Sequence, residues 1–164
     1  NLFLEDVKRK NPTRVPGTAV FMTVSPFGTP LPLLHHLKHN HVLHEKVVLL
    51  SIQSADVPTV SEEDRVKLED LGQEFYRVVA TYGFMQSPNV PETMRLAAVL
   101  GLETEPFTTT YFLGRETLVT TGDSKMMRWR KNLFAFMSRN SQAATTYFSI
   151  PLDRVVELGV QVEL

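Results

Sequence analysis

Apolar positions change their period from segment to segment along this chain, and those periods predict strands alternating with helices. Thr18–Val24 (TAVFMTV) is rich in β-branched and aromatic residues and predicts a buried strand after the turn signal Val15-Pro16-Gly17. Ser25–Thr29 then forms a loop, with Thr29 as N-cap and Pro30 as the first residue of a helix to about His39. Pro32 still falls in the first turn, where no amide proton is needed, and Asn40 suits the left-handed residue that ends such a helix. Glu45–Ser54 (EKVVLLSIQS) carries the unbroken run Val47–Leu50, which predicts a central strand buried on both faces.

The second half continues the alternation. Val57–Asp64 reads as a polar loop, Arg65–Leu71 as a strand or short helix, and Phe75–Phe84 (FYRVVATYGF) as a strand, so the Gly72–Glu74 turn predicts a hairpin. Asn89 with Glu92 three residues later predicts a capped helix closed by Gly101. Thr108–Leu113 and Glu116–Thr120 read as two strands separated by Gly114-Arg115. A long helix from Asp123 or Ser124 to about Asn140 follows, with Met126, Trp129, Leu133, Phe136 and Met137 on one stripe. A short helix near Ala143–Phe148 precedes Arg154–Leu164, whose strict alternation predicts a strand. The sum is an α/β fold: a single domain with a mixed β-sheet flanked by helices, residues 14–164, entered through a charged helix or linker over residues 1–13.

Composition narrows the function classes. A chain of 164 residues with 43% hydrophobic and 21% charged positions has material for one ordinary core. A net charge of −1 gives no bulk electrostatic footprint for nucleic acid. The absence of cysteine removes disulfides, thiolate metal sites and a cysteine nucleophile, and favours a reducing compartment. No apolar run approaches the ~18–20 residues of a membrane span. The chain opens on Asn1 with no secretory signal, which reads as a piece of a longer polypeptide.

Two clusters carry candidate chemistry. All five histidines lie between His35 and His44. On a helix, His35 and His39 are four apart and share a face, a spacing that can bind one metal, while His36 points about 100° away and His41 and His44 lie beyond the helix end. A structural zinc site needs four ligands and a catalytic one three plus water, so His35 and His39 are weak metal candidates, and partly exposed histidines at a helix end explain them as well. The second cluster is Lys125, Arg128, Arg130, Lys131 and Arg139, on a stretch without an acidic residue. It suits a lipid-headgroup surface or a phosphate-bearing ligand, against the plainer reading of a solvated face. No two glycines lie closer than eight positions, which eliminates a GxGxxG loop and a P-loop. There is no GxSxG elbow, and His44-Glu45-Lys46-Val47-Val48 lacks the second histidine of HExxH. No catalytic constellation and no cofactor motif is present.

An ordered set of segments resembles one family. These are Arg14–Phe21 (RVPGTAVF), Leu37–Asn40 (LKHN), Val42–Glu45 (VLHE), Phe75–Val79 (FYRVV), Tyr82–Phe84 (YGF) and Pro88–Val90 (PNV). Further on come Tyr111–Leu113 (YFL), Arg115–Leu118 (RETL), Phe134–Asn140, Arg154–Gly159 (RVVELG) and Gln161–Glu163 (QVE). From about Arg14 to Leu164 they are similar to the C-terminal cytosolic region of the KUP/HAK/KT potassium-uptake transporters. The resemblance implies an upstream transmembrane part that carries potassium coupled to protons (symport), with residues 1–13 leading from it. It places this region at the cytoplasmic side of the cell membrane, as part of a multi-pass membrane protein. It implies a non-catalytic domain for dimerisation and regulation, in contact with its own transmembrane domain and the membrane surface. His35, His39 and His44 match positions where the family commonly has histidine; His36 and His41 depart from it. Some relatives respond to cyclic di-AMP, so a cyclic dinucleotide or other nucleotide is a candidate ligand of the basic cluster. A universal-stress-like fold is one α/β arrangement compatible with this. A histidine-dependent metalloenzyme or a cyclase is the rival from another class.

Overall fold

In the computed structural model, which describes residues 2–119 and 144–163, the most apolar segments lie side by side. Helix α1 (Leu2–Lys10) leads into β1 (Thr13–Thr23), α2 (Leu31–Asn40) and β2 (Val42–Ala55). After them come α3 (Glu62–Arg65), the hairpin β3 (Val66–Gly72) and β4 (Phe75–Gly83), and α4 (Val90–Val99). Then follow β5 (Thr109–Val119), α5 (Ala144–Tyr147) and β6 (Val155–Glu163). The strands form one six-stranded sheet in the order β3-β4-β2-β1-β5-β6. Neighbours are parallel except the antiparallel hairpin β3–β4. This is the mixed α/β sheet that the sequence predicts.

A parallel sheet joined by helical crossovers is covered on both faces, so its central strands have no polar side to offer. Val20, Val48, Leu50, Val78, Tyr111 and Leu113 pack on one face with Val90, Met94 and Ala97 of α4. Ala19, Phe21, Val47, Leu49, Phe75 and Phe112 pack on the other beneath Val7 of α1 and Leu33 of α2. Consecutive residues of β1 and β2 thus go to opposite sides, which is why their sequence runs are apolar without interruption. The hairpin edge is polar by contrast. There Arg77 and Glu69 stand opposite each other and form an ion pair at 2.6 Å.

Local chemistry explains where the elements start and stop. The Asn89 side chain accepts a hydrogen bond from the Glu92 amide at 2.9 Å, capping α4. The reciprocal half of the capping box is not made: the Asn89 amide donates to the Tyr82 hydroxyl at 3.2 Å, and the Glu92 carboxylate is bound to Arg95. At the end of β4 the Gln86 side chain replaces a missing strand. Its oxygen accepts from the amides of Val60 and Gly83, each at 2.9 Å, and its amide donates to the Val60 carbonyl at 3.1 Å.

Four expectations are corrected. Val15-Pro16-Gly17 is not a turn before the strand but an irregularity inside β1, where the register against β2 shifts between Val15 and Thr18. A bulge tolerates Pro16, which has no amide proton to give to a ladder. The segments on either side of Gly114 are one strand, β5. A Cβ at Gly114 would come 3.1 Å from the ring of Pro32, so this glycine admits the first turn of α2 rather than breaking the strand. The helix α2 begins after Pro30, whose position carries no side-chain cap, rather than after Thr29. It ends on His41 rather than Asn40: His41 is in the left-handed region with φ 57° and its amide donates to the Leu37 carbonyl at 3.2 Å, while the Asn40 side chain is bound to His36. The expected long helix over residues 123–140 lies outside the described residues.

Gly17 sets the tightest backbone approach around β1. Its φ is +99° and a Cβ there would meet the Thr108 carbonyl oxygen at 2.6 Å, whereas Gly28, φ +90°, faces open space. Gly17→Ala is therefore expected to destabilise the fold by about 2–4 kcal/mol and Gly28→Ala by only about 1 kcal/mol. Urea unfolding of the two variants checks this ordering.

Candidate functional site

Helix α2 distributes the histidines by its own geometry. His35 and His39, one turn apart, stack along the outer side with ring centroids 5.8 Å apart. His36, one position on, turns inward and is buried. His41 ends the helix on the surface, and His44 comes back half-buried from β2. Among the described residues, no three side chains of His, Asp or Glu gather in a way that could hold a metal ion.

The pair the structure brings together is His36 and His44, with ring centroids 5.8 Å apart. They sit in an aromatic box. His36 lies 4.9 Å from Phe112 and 5.8 Å from Phe21, and His44 lies 5.8 Å from Phe112. Phe21 and Phe112 themselves stack at 4.7 Å. With the Asn40 amide donating to His36 Nδ1 at 2.9 Å, the ring proton belongs on Nε2. That Nε2 and the Nδ1 of His44 are both buried without a hydrogen-bond partner. The strand end that carries His44 is pinned by Arg14, whose guanidinium donates to the carbonyls of His44 at 2.7 Å and Gln73 at 3.0 Å. The same guanidinium stands 5.3 Å over the ring of Phe75.

Burial disfavours the charged form of both imidazoles. His36 is held below the usual histidine value by burial and then by the charge His44 would carry; His44 is held below it by burial. Among the described residues, no third metal-ligating side chain gathers with the two imidazoles, whose burial against aromatic rings makes their packing sensitive to protons. Sequence spacing singles out His35 and His39. It misses His36 with His44 because that contact depends on the crossover from α2 into β2.

The basic candidates Lys125, Arg128, Arg130, Lys131 and Arg139 lie outside the described residues. A second concave feature was not legible in the sequence, since its walls come from helices about thirty residues apart. It is a groove of about 640 Å³ between α1 and α2, walled by Phe3, Val7, Leu34 and Leu37, with Lys10 and Lys38 at its rim. Among the described residues, no helix is long and apolar enough to cross a membrane.

Known proteins similar to this chain agree with one another. Residues 16–164 match the family described as the K+ potassium transporter C-terminal domain. The chain is 62% identical over 164 residues to the probable potassium transport system protein Kup 2 of Syntrophobacter fumaroxidans, covering 100% of this chain and 26% of that protein. It is 57% identical over 163 residues to the probable potassium transport system protein Kup 1 of Geobacter sulfurreducens, covering 99% and 26%. With the probable potassium transport system protein Kup of Anaeromyxobacter sp. (strain Fw109-5) it shares 53% over 169 residues, covering 100% and 26%. The chain thus spans about a quarter of the length of these curated relatives. No solved structure matches it.

The histidine pair generates a pH prediction with a definite sign. An unfolded imidazole takes up its proton near 6.5 and the folded ones resist it, so between those values the unfolded chain binds more protons. Stability from this pair is full above the unfolded value and is lost as pH falls through it toward the lower folded values. Thermal melts from pH 8 to pH 5 (about one and a half units either side of 6.5) are expected to show Tm falling on the acid side. His36→Leu is expected to flatten that fall; an unchanged acid slope would remove the pair as its cause.

Proposed function

The chain belongs to the K+ potassium transporter C-terminal domain family, and from that premise we propose that it is the cytosolic, non-catalytic domain of a potassium-uptake protein. On this reading it lies at the cytoplasmic side of the membrane and works with a transmembrane part encoded upstream. It serves dimerisation and regulation of uptake that is coupled to protons. The observation that carries the reading is the similarity over the whole chain to potassium transport system proteins four times its length. The site geometry supports a domain that packs and responds rather than one that turns over a substrate.

Nucleotide sensing is a second reading, favoured by the order of the strands. The sheet grows from β1 in two directions, β2 on one side and β5 on the other. Open α/β sheets bind ligands in the crevice outside the carboxyl ends of the strands at such a reversal. Lys125, Arg128, Arg130, Lys131 and Arg139, which follow β5 in sequence, are the candidate contacts for a cyclic dinucleotide or another adenine nucleotide.

Four measurements test these readings. The longer polypeptide carrying this chain is expected to restore growth at low potassium in cells lacking other uptake routes. Truncation before Asn1 is expected to change the rate or control of uptake and leave ion selectivity alone; a truncated protein that behaves as the intact one would sink the regulatory role. Light scattering of the chain is expected to give twice its 18.6 kDa mass. A nucleotide at about 100 times its Kd adds about 2.7 kcal/mol, a rise of about 5–10 °C in Tm for this size. No rise with cyclic di-AMP, cyclic AMP or ATP would dismiss the second reading.

A further inference from the structure

The groove between α1 and α2 has a charge distribution that the fold imposes. Helix α1 ends at Lys10 just before β1 begins at Thr13, and α2 ends at Asn40 just before β2 begins at Val42. Thr13 and Val42 are register partners in the parallel pair, so the two helices finish side by side at one edge of the sheet. Their last turns carry Lys8, Arg9 and Lys10 on α1 and Lys38 and His39 on α2, of which Lys10 and Lys38 line the groove together. The one carboxylate in the groove, Asp6, is occupied by Lys10 at 2.8 Å and by Arg9. Lys38 is exposed and makes no ion pair among the described residues. Apart from His41, the remaining lining residues, Phe3, Val7, Pro12, Leu34 and Leu37, are apolar, and Leu34 is 40% exposed.

This arrangement fits a ligand that is apolar along its length and anionic at one end. The volume of about 640 Å³ lies in the range of small-molecule sites, and a groove of that size holds an acyl chain rather than a helix of a partner protein. We infer that the α1–α2 groove seats an acidic phospholipid, with an acyl chain along Phe3, Val7, Leu34 and Leu37 and the phosphate between Lys10 and Lys38. The choice of a lipid rests on the reading of this chain as part of a membrane transporter. The surface itself combines the apolar area and cationic rim by which folded domains hold acidic leaflets.

The test is co-sedimentation of the 164-residue chain with vesicles of phosphatidylcholine, alone and mixed with phosphatidylglycerol. Binding is expected only to the mixed vesicles. Lys10→Gln/Lys38→Gln is expected to weaken it about thirtyfold, at about 1 kcal/mol for each lysine near an acidic surface. Leu34→Ser is expected to weaken it about tenfold by removing apolar contact. All three side chains are exposed, and melting curves of the variants confirm their fold. Binding unchanged in the double lysine variant would overturn the site. Binding sensitive to the lysines but indifferent to Leu34→Ser would overturn the groove in favour of a merely charged surface. No binding to either vesicle, together with binding of an acidic amphipathic peptide that Lys10→Gln/Lys38→Gln abolishes, would overturn the lipid and assign the groove to a protein partner instead. Failure of the longer polypeptide to take up potassium would remove the transporter reading without altering any of these vesicle results.

Discussion

The parallel pairing of β1 with β2 is the constraint on which the rest of this structure depends. Two parallel strands cannot be joined by a tight turn, so the chain must return through a crossover, and α2 is that crossover. The pair is buried on both faces, so a second layer of helices is required on the far side, which α4 supplies. Everything of functional interest on the α1–α2 face follows from that geometry. His36 is inside because α2 must turn one side to the sheet. His44 meets it because the chain re-enters the sheet within a few residues of the helix end. The two basic helix ends converge because their strands start in register.

The aromatic box around the histidines shows how a cluster of like residues can divide its roles by direction alone. His35 and His39 share the solvent side of α2, while His36 replaces what would otherwise be an apolar residue against Phe21 and Phe112. Asn40 satisfies one ring nitrogen of His36 and nothing satisfies the other. A leucine would pack there without that deficit, so the imidazole costs stability that shape does not recover. Its consequence is a buried imidazole pair whose charging is disfavoured under α2, adjacent to the surface groove on the other flank of that helix.

Much of the architecture was legible in the sequence because its signals are local. The apolar run Val47–Leu50, the hairpin turn at Gly72–Glu74 and the cap at Asn89 depend on residues a few positions apart, and periodicity captures them. The errors have the opposite character. Gly17 and Gly114 read as breaks because a glycine without its neighbours looks like a turn. Each is in fact a point where another segment comes close: Thr108 against Gly17, Pro32 against Gly114. Asn40 suits a left-handed position by residue type, but the helix runs one residue further and His41 takes it. The groove and the buried histidine pair are hidden from local periodicity because the first needs two helices about thirty residues apart and the second needs the return of the chain from α2 into β2. The resemblance carried by the ordered segments identified the family independently of these local readings.

The strand order also carries a schedule. Reading from the amino end, β1, α2, β2 and the β3–β4 hairpin occupy residues 13–83 without interruption and form four adjacent strands of the sheet. A growing or refolding chain can therefore complete that half before β5 is available. During the interval the outer edge of β1 stands unpaired, between Thr18 and Phe21 where β5 will later attach. An open, apolar strand edge is a template for a wrong partner. A strand that ends inside the finished sheet thus has an open edge during that interval, and the arrival of β5 closes it.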